Sequence, residues 1–120
     1  MNYEYSYEKM RMWTDIRHYV KNVYKVTKTF PYDEKYCLTQ QLRRAAVSVL
    51  SNVAEGLSRK TDKEKQRFIE ISYASLMETN AQWIISLDLL YISEEQYLKL
   101  KEEVLKISNQ LNALSKSLLK

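Results

Sequence analysis

The stretch "LRRAAVSVLSNVAEG", Leu42 to Gly56, decides the fold. Leu42, Ala45, Val49, Val53 and Gly56 recur at the three-to-four spacing of one helix face. Ala46, Leu50, Ala54 and Leu57 form the neighbouring stripe. Together they make an apolar surface broad enough to meet more than one partner helix. Its small residues let backbones approach closely. The same stretch carries Arg43, Arg44, Ser48, Ser51, Asn52, Glu55 and the only glycine of the chain. A purely solvated face would be rich in Lys and Glu. Ser and Asn compete with the backbone for hydrogen bonds inside a helix, so their use here points to packing against something. Three readings of the strip stay open: a structural or subunit contact, a solvated face, or a ligand site.

Outward from this segment, the chain reads as a sequence of helices. One Gly and one Pro in 120 residues leave little material for the turns of a sheet protein. The first segment runs from about Glu8 to Thr29, with Trp13, Ile16, Val20, Val23 and Thr27 as its apolar stripe. Phe30-Pro31 ends it, because the residue before proline is pushed out of the helical region. Tyr3, Tyr5 and Tyr7 alternate in a short tail of about seven residues. The second segment spans about Leu38 to Leu57. The third opens on Thr61 and Glu64 at capping-box spacing, and no breaker interrupts it before Tyr91. Its rows are Phe68, Ile71, Ser75, Gln82 and Ser86, then Ile69, Leu76, Trp83, Leu87 and Leu90. The fourth opens on a second capping box, Ser93 to Gln96. Tyr97, Leu100, Val104, Ile107, Leu111, Leu114 and Leu118 follow it. Four helices joined by short links predict an all-α, antiparallel, up-down-up-down four-helix bundle. Residues 1–120 form one domain in this reading.

Charge and composition narrow the function. The net charge is +4, and the excess lies in the first half. Residues 1–30 hold six Lys or Arg against three acids, and residues 31–61 hold five against three. Arg17, Lys21, Lys25 and Lys28 form a stripe on the first helix. This is the best candidate for phosphate contact with RNA or DNA, with Tyr19 and Tyr24 near enough to stack on bases. "SRKTDKEKQR" is a second basic patch, interrupted by acids. A solvated charged face remains the plain alternative. No apolar run is long enough to span a membrane, and the N-terminus lacks the apolar stretch of a signal peptide. A lone Cys37 forbids an internal disulfide and suits the cytoplasm.

Chemistry is scarce. His18 and Cys37 are each the only residue of their kind, and no zinc-type spacing occurs. Cys37 is expected half-buried in a turn and His18 at the surface. No phosphate-binding Gly-rich loop is present, and no catalytic constellation is visible. The expectation is a non-enzymatic protein without metal or cofactor.

Several long, ordered stretches resemble the 23S rRNA-intervening-sequence protein family. They are Trp13, "VYKVTKTFP" from Val23 to Pro31, "EKYCLTQQLRRAAVSVLSNVAEG" from Glu34 to Gly56, "RFIEISYASLMET" from Arg67 to Thr79, and "DLLYI" ending at Ile92. The family often carries Pro at Leu50, Gly at Ala74 and Leu90, an aliphatic residue at Thr79, and Val or Leu at Trp83. The first of these departures implies a straighter second helix. The resemblance implies an antiparallel four-helix bundle assembled into a ring-like homopentamer, and no established activity. At the level of fold, the chain is also similar to the accessory subunit of diversity-generating retroelements. That subunit is a basic pentameric bundle that binds a reverse transcriptase and nucleic acid. Carried onto this sequence, the signature positions are Arg43, Arg44, Ser48, Asn52, Glu55, Gly56, Ser75 and Glu78. The expectation is that they form a polar network between the second and third helices or across a subunit boundary. Arg–Glu pairing in that network would fix the geometry of assembly. The resulting functional expectation is a homo-oligomeric scaffold for RNA or DNA that can also take a partner protein. The alternative is a protein–protein adaptor whose charges only solubilise it.

Overall fold

A computed structural model describes residues 4–119 of the chain. Four helices dominate: α1 (Arg11–Thr27), α2 (Leu38–Leu57), α3 (Asp62–Asp88) and α4 (Glu94–Ser117). A single 3-10 turn, Ser6–Lys9, precedes α1, and another, Tyr32–Glu34, lies between α1 and α2. No strand occurs among the described residues. α1 starts three residues later than its periodicity suggests. Glu8 spends its carboxylate on the Tyr5 amide at 2.8 Å, which closes the 3-10 turn instead of extending the helix. Tyr5 and Tyr7 stack with rings nearly parallel, so they are not an extended alternating tail. Tyr3 lies outside the described residues.

Cross-helix hydrogen bonds establish the topology. Between α1 and α4, Asn22 reaches Glu103 and Asp15 accepts from Gln110, so one helix ascends as the other descends. Between α3 and α4, Gln66 meets Ser115 and Asn80 accepts from Lys101. Between α2 and α3, Ser72 donates to the Val49 carbonyl and Gln82 reaches Gln41. Each pair is antiparallel. α2 packs on α1 and α3, and α4 packs on α3 and α1. α1 and α3 therefore stand at opposite corners of an up-down-up-down bundle.

The core is built as the α2 periodicity requires. Leu42, Ala45, Ala46, Val49, Val53 and Gly56 are all buried, and α2 runs without interruption past Leu50. α4 buries Leu100, Val104, Ile107 and Leu111. Its capping box forms in full. Ser93 Oγ accepts from the Gln96 amide, and Gln96 Oε1 accepts from the Ser93 amide. At α3 only the forward half forms, with Thr61 Oγ1 accepting from the Glu64 amide.

α1 is rotated from its expected face. Met12 and Tyr19 are buried with Ile16, Val23 and Thr27, while Trp13 and Val20 are only half-buried. The cause is a hydrogen-bonded relay across the bundle. Trp83 Nε1–H donates to the Tyr19 oxygen at 2.8 Å, and the Tyr19 hydroxyl donates to Thr79 Oγ1 at 2.8 Å. The Thr79 hydroxyl donates to the Leu76 carbonyl at 2.6 Å. Each polar atom of the relay has a partner, so the three side chains can be buried without an unmet donor. Tyr19 is thus a core residue and is withdrawn from any role in base stacking.

α3 stops at Asp88 rather than near Tyr91. Leu90 adopts φ 64°, the left-handed conformation. Its amide bonds the Leu87 carbonyl, and the Tyr91 amide bonds the Ser86 carbonyl, the paired closure that ends many helices. Leu90 is 86% exposed, so it gains little packing in return for a conformation that costs an L-residue about 1–2 kcal/mol. Leu90→Gly is expected to stabilise the protein by about 1 kcal/mol, because part of the relief is lost to the freer unfolded chain. A higher denaturant midpoint at unchanged slope is the readout.

Candidate nucleic-acid interface and assembly surface

The basic stripe forms as a solvent-facing line. Arg17, Lys21, Lys25 and Lys28 are all exposed along α1. The ion pairs among the described residues are Arg59–Glu55, Lys99–Glu95 and Lys106–Asp15, so none engages the stripe. From Arg17 to Lys28 the helix rises about 16 Å, roughly five nucleotide steps along one strand of a duplex. Tyr24 stands one turn from both Lys21 and Lys28 and is 39% exposed. It carries the Arg43 guanidinium 4.7 Å above its ring.

The polar strip of α2 divides into parts with different duties. Arg43 turns toward α1. Its Nε donates to Thr27 Oγ1 at 2.9 Å, and Nη2 points at the Tyr24 carbonyl at 3.4 Å. A cation beside the last carbonyls of a helix is favoured by the negative end of its dipole. Arg43 therefore ties α2 to the C-terminal turn of α1. Ser48 turns the other way. Its Oγ lies 2.8 Å from Ser75 Oγ on α3, and Asn52 Nδ2 donates to both the Ser48 carbonyl and its hydroxyl. Glu78 accepts from Gln82. Glu55 is exposed and pairs loosely with Arg59 at 3.9 Å, the surface pair their spacing suggests. Gly56 is buried where α2 meets α3.

Within one chain, Ser48, Asn52 and Ser75 are thus brought together, and Glu55 and Arg43 are held apart from them. No ion pair among the described residues joins Arg43 or Arg44 to Glu55 or Glu78. Arg44 is exposed without a hydrogen bond or ion pair among the described residues. It lines two adjoining depressions. One, of about 330 Å³, lies over the α2–α3 seam beside Ser75 and Glu78. The other, of about 680 Å³, runs along the outer face of α2 from the α1–α2 link, with Tyr24 of α1 at its edge.

The α3 surface was only partly legible. Ser72, Thr79, Gln82 and Ser86 are buried, while Ile71, Ile84, Ile85 and Leu89 are each more than 40% exposed. The buried hydroxyls bond backbone carbonyls: Ser72 to Val49, Thr79 to Leu76, Ser86 to Gln82. Small polar residues face inward, and Ile71, Ala74, Ala81 and Ile85 line an outward stripe at helical spacing, with exposed Glu78 in its middle.

Cys37 is exposed rather than half-buried. His18 is at the surface, as expected. No group of three or more His, Cys, Asp or Glu side chains gathers among the described residues in a way that could hold a metal ion. No helix among them is long and apolar enough to cross a membrane.

The family model of the 23S rRNA-intervening sequence protein matches residues 8–113. The chain belongs to that family. Its fold is shared with a solved protein of unknown function from the S23 ribosomal protein family of Bacteroides thetaiotaomicron. The TM-score is 0.81, with 17% identity over 88% of this chain and 95% of the other. No curated protein matches the chain significantly. Membership extends the resemblance through most of α4, beyond the stretch ending at Ile92. Thr79 and Trp83 are the two residues that meet Tyr19 in the core relay.

Proposed function

We propose that this intervening-sequence protein is a non-enzymatic, cytoplasmic, self-assembling scaffold for RNA or DNA, built as a homopentamer. The observation that carries the reading is the line of four exposed cations on α1 without ion-pair partners among the described residues. Such a line attracts phosphate by Coulomb force and by release of bound counterions, independent of sequence. Its position also supports the reading. The outward stripe of α3, with Glu78 inside it, is the natural surface for subunit contact, and Arg44, Ser48 and Ser75 lie on the adjoining α2–α3 seam. α1 lies at the opposite corner, so assembly through α3 leaves every basic stripe facing outward. Five copies of a weak cationic surface then act together on one long nucleic acid.

Binding to a structured RNA is expected to weaken by tenfold or more between low and physiological salt, with oligomer mass constant. Lys21→Ala combined with Lys25→Ala should flatten that dependence. An intact oligomer that binds no RNA or DNA at low salt would instead favour a protein–protein adaptor.

A further inference from the structure

The 680 Å³ groove along the outer face of α2 differs in character from the basic stripe on α1. Three cations line it, Lys35, Arg43 and Arg44, and no acid does. Two tyrosines, Tyr24 and Tyr36, form its aromatic walls. Tyr36 is 73% exposed on the link between α1 and α2, and neighbouring Tyr32 is 82% exposed. Lys35 Nζ hovers 5.7 Å from the Tyr32 ring and 5.3 Å from the Tyr36 ring. Arg43 is already fixed by Thr27 and by the Tyr24 ring, so its charge is held at the groove without further ordering. Arg44 has no partner of its own among the described residues.

A duplex buries its base faces in the stack and offers phosphates to a protein surface. A charged line such as that on α1 suffices for it. Open aromatic faces paired with cations suit unstacked bases, because every base has a face to lay on a ring and a phosphate to set against a positive charge. Tyr24, at the edge of the groove, stands one helical turn from Lys21 and Lys28 of the stripe. We infer that this groove is a binding site for a single-stranded segment of nucleic acid. A base stacks on Tyr36, its phosphate meets Arg44 and Lys35, and the adjoining strand runs onto α1. Ser51 supplies an exposed hydroxyl along the groove for a sugar or base edge. This inference rests on the nucleic-acid reading proposed above and adds which form of nucleic acid the protein selects at this position.

The test uses the intact oligomer at low salt. One probe is an oligouridylate of about six nucleotides, within the range that single-strand sites cover, and the other is a fully paired RNA stem. Tyr36→Ala and Arg44→Ala alter exposed side chains and leave the core untouched. Each should weaken the oligouridylate by about tenfold, the scale of one lost base stack for Tyr36 and of one lost charge-assisted phosphate contact for Arg44, and the stem by less than about threefold. Tyr36→Phe should bind the oligouridylate like the parent, since stacking needs only the ring. The double variant Lys21→Ala, Lys25→Ala should show the reverse preference, losing the stem more than the oligouridylate. Parent protein that binds the stem but not the oligouridylate would overturn the groove assignment and leave the scaffold reading intact. Parent protein that binds neither would overturn both. An Arg44→Ala variant with altered oligomer mass and unchanged oligouridylate binding would assign Arg44 to subunit contact and overturn its role here.

Discussion

Between pH 10 and about pH 12 the bundle is expected to lose roughly 3 kcal/mol of stability through Tyr19 alone. Burial is the main cause, because it disfavours the phenolate and pushes the Tyr19 hydroxyl up to about 12 from its ordinary 10. The hydrogen bonds from the relay pull the other way and are outweighed. The unfolded chain releases this proton near pH 10, while the folded chain holds it until about pH 12. The stabilisation is therefore complete below pH 10 and falls by about 1.4 kcal/mol per pH unit above it. Tyr91 shifts in the same direction, because its hydroxyl donates to the Glu34 carboxylate. Lysines also discharge in this range, so the comparison is with Tyr19→Phe. At neutral pH that variant should be less stable by about 1–3 kcal/mol, since the buried Trp83 N–H loses its acceptor. Above pH 10 the gap should narrow, because the variant has no buried phenol to ionise. Denaturant titrations of both proteins at neutral and alkaline pH measure it. Parallel stability curves would show that Tyr19 does not hold its proton as the relay implies.

That relay also marks where the sequence stopped being legible. α2 and α4 could be read residue by residue, because each presents a regular apolar stripe to its neighbours and little else competes for the core. α1 could not. Its local pattern favours Trp13 and Val20, whereas the folded chain buries Met12 and Tyr19. The rotation depends on Thr79 and Trp83, sixty or more positions away. No periodicity within α1 records them. Tyr7 adds to the effect by packing edge-on against Trp13, which keeps that indole at the rim. α3 was hard to read for the opposite reason. Apolar residues surround it, and burial is decided by size and by carbonyls within reach, so Ser72 and Ser86 go in while Ile71 and Ile85 stay out. The candidate interface was legible as a list of charged positions. Its division was not, because Arg43 and Arg44 are adjacent in sequence and only the fold sends one to α1 and leaves the other free.

Gly56→Ala is expected to destabilise the bundle by up to about 2 kcal/mol, against the usual preference of helices for alanine. Gly56 lies next to the end of α2, and the short link to α3 brings the two backbones together there. A Cβ at this position would stand 2.7 Å from Phe68 Cβ and 3.3 Å from the Lys65 carbonyl oxygen. Neither neighbour is the movable tip of a side chain. Phe68 Cβ is fixed to the α3 backbone, so relief requires α3 to shift or tilt away. In open space the same substitution would gain about 1 kcal/mol from helix propensity. Overpacking costs typically 1–3 kcal/mol, so the two effects oppose each other and the sign of the result identifies the winner. Displacing α3 would also move Ser72 and Ser75 relative to α2 and weaken their bonds to Val49 and Ser48. The damage should therefore spread along the α2–α3 seam and toward the outward stripe of α3. Thermal denaturation and oligomer mass of Gly56→Ala, measured together, test this. A more stable variant of unchanged mass would mean that α2 and α3 are not in close approach at Gly56. A less stable variant that also dissociates more readily is the expected result, because the helix that carries the apolar surface is the one the new methyl group pushes aside.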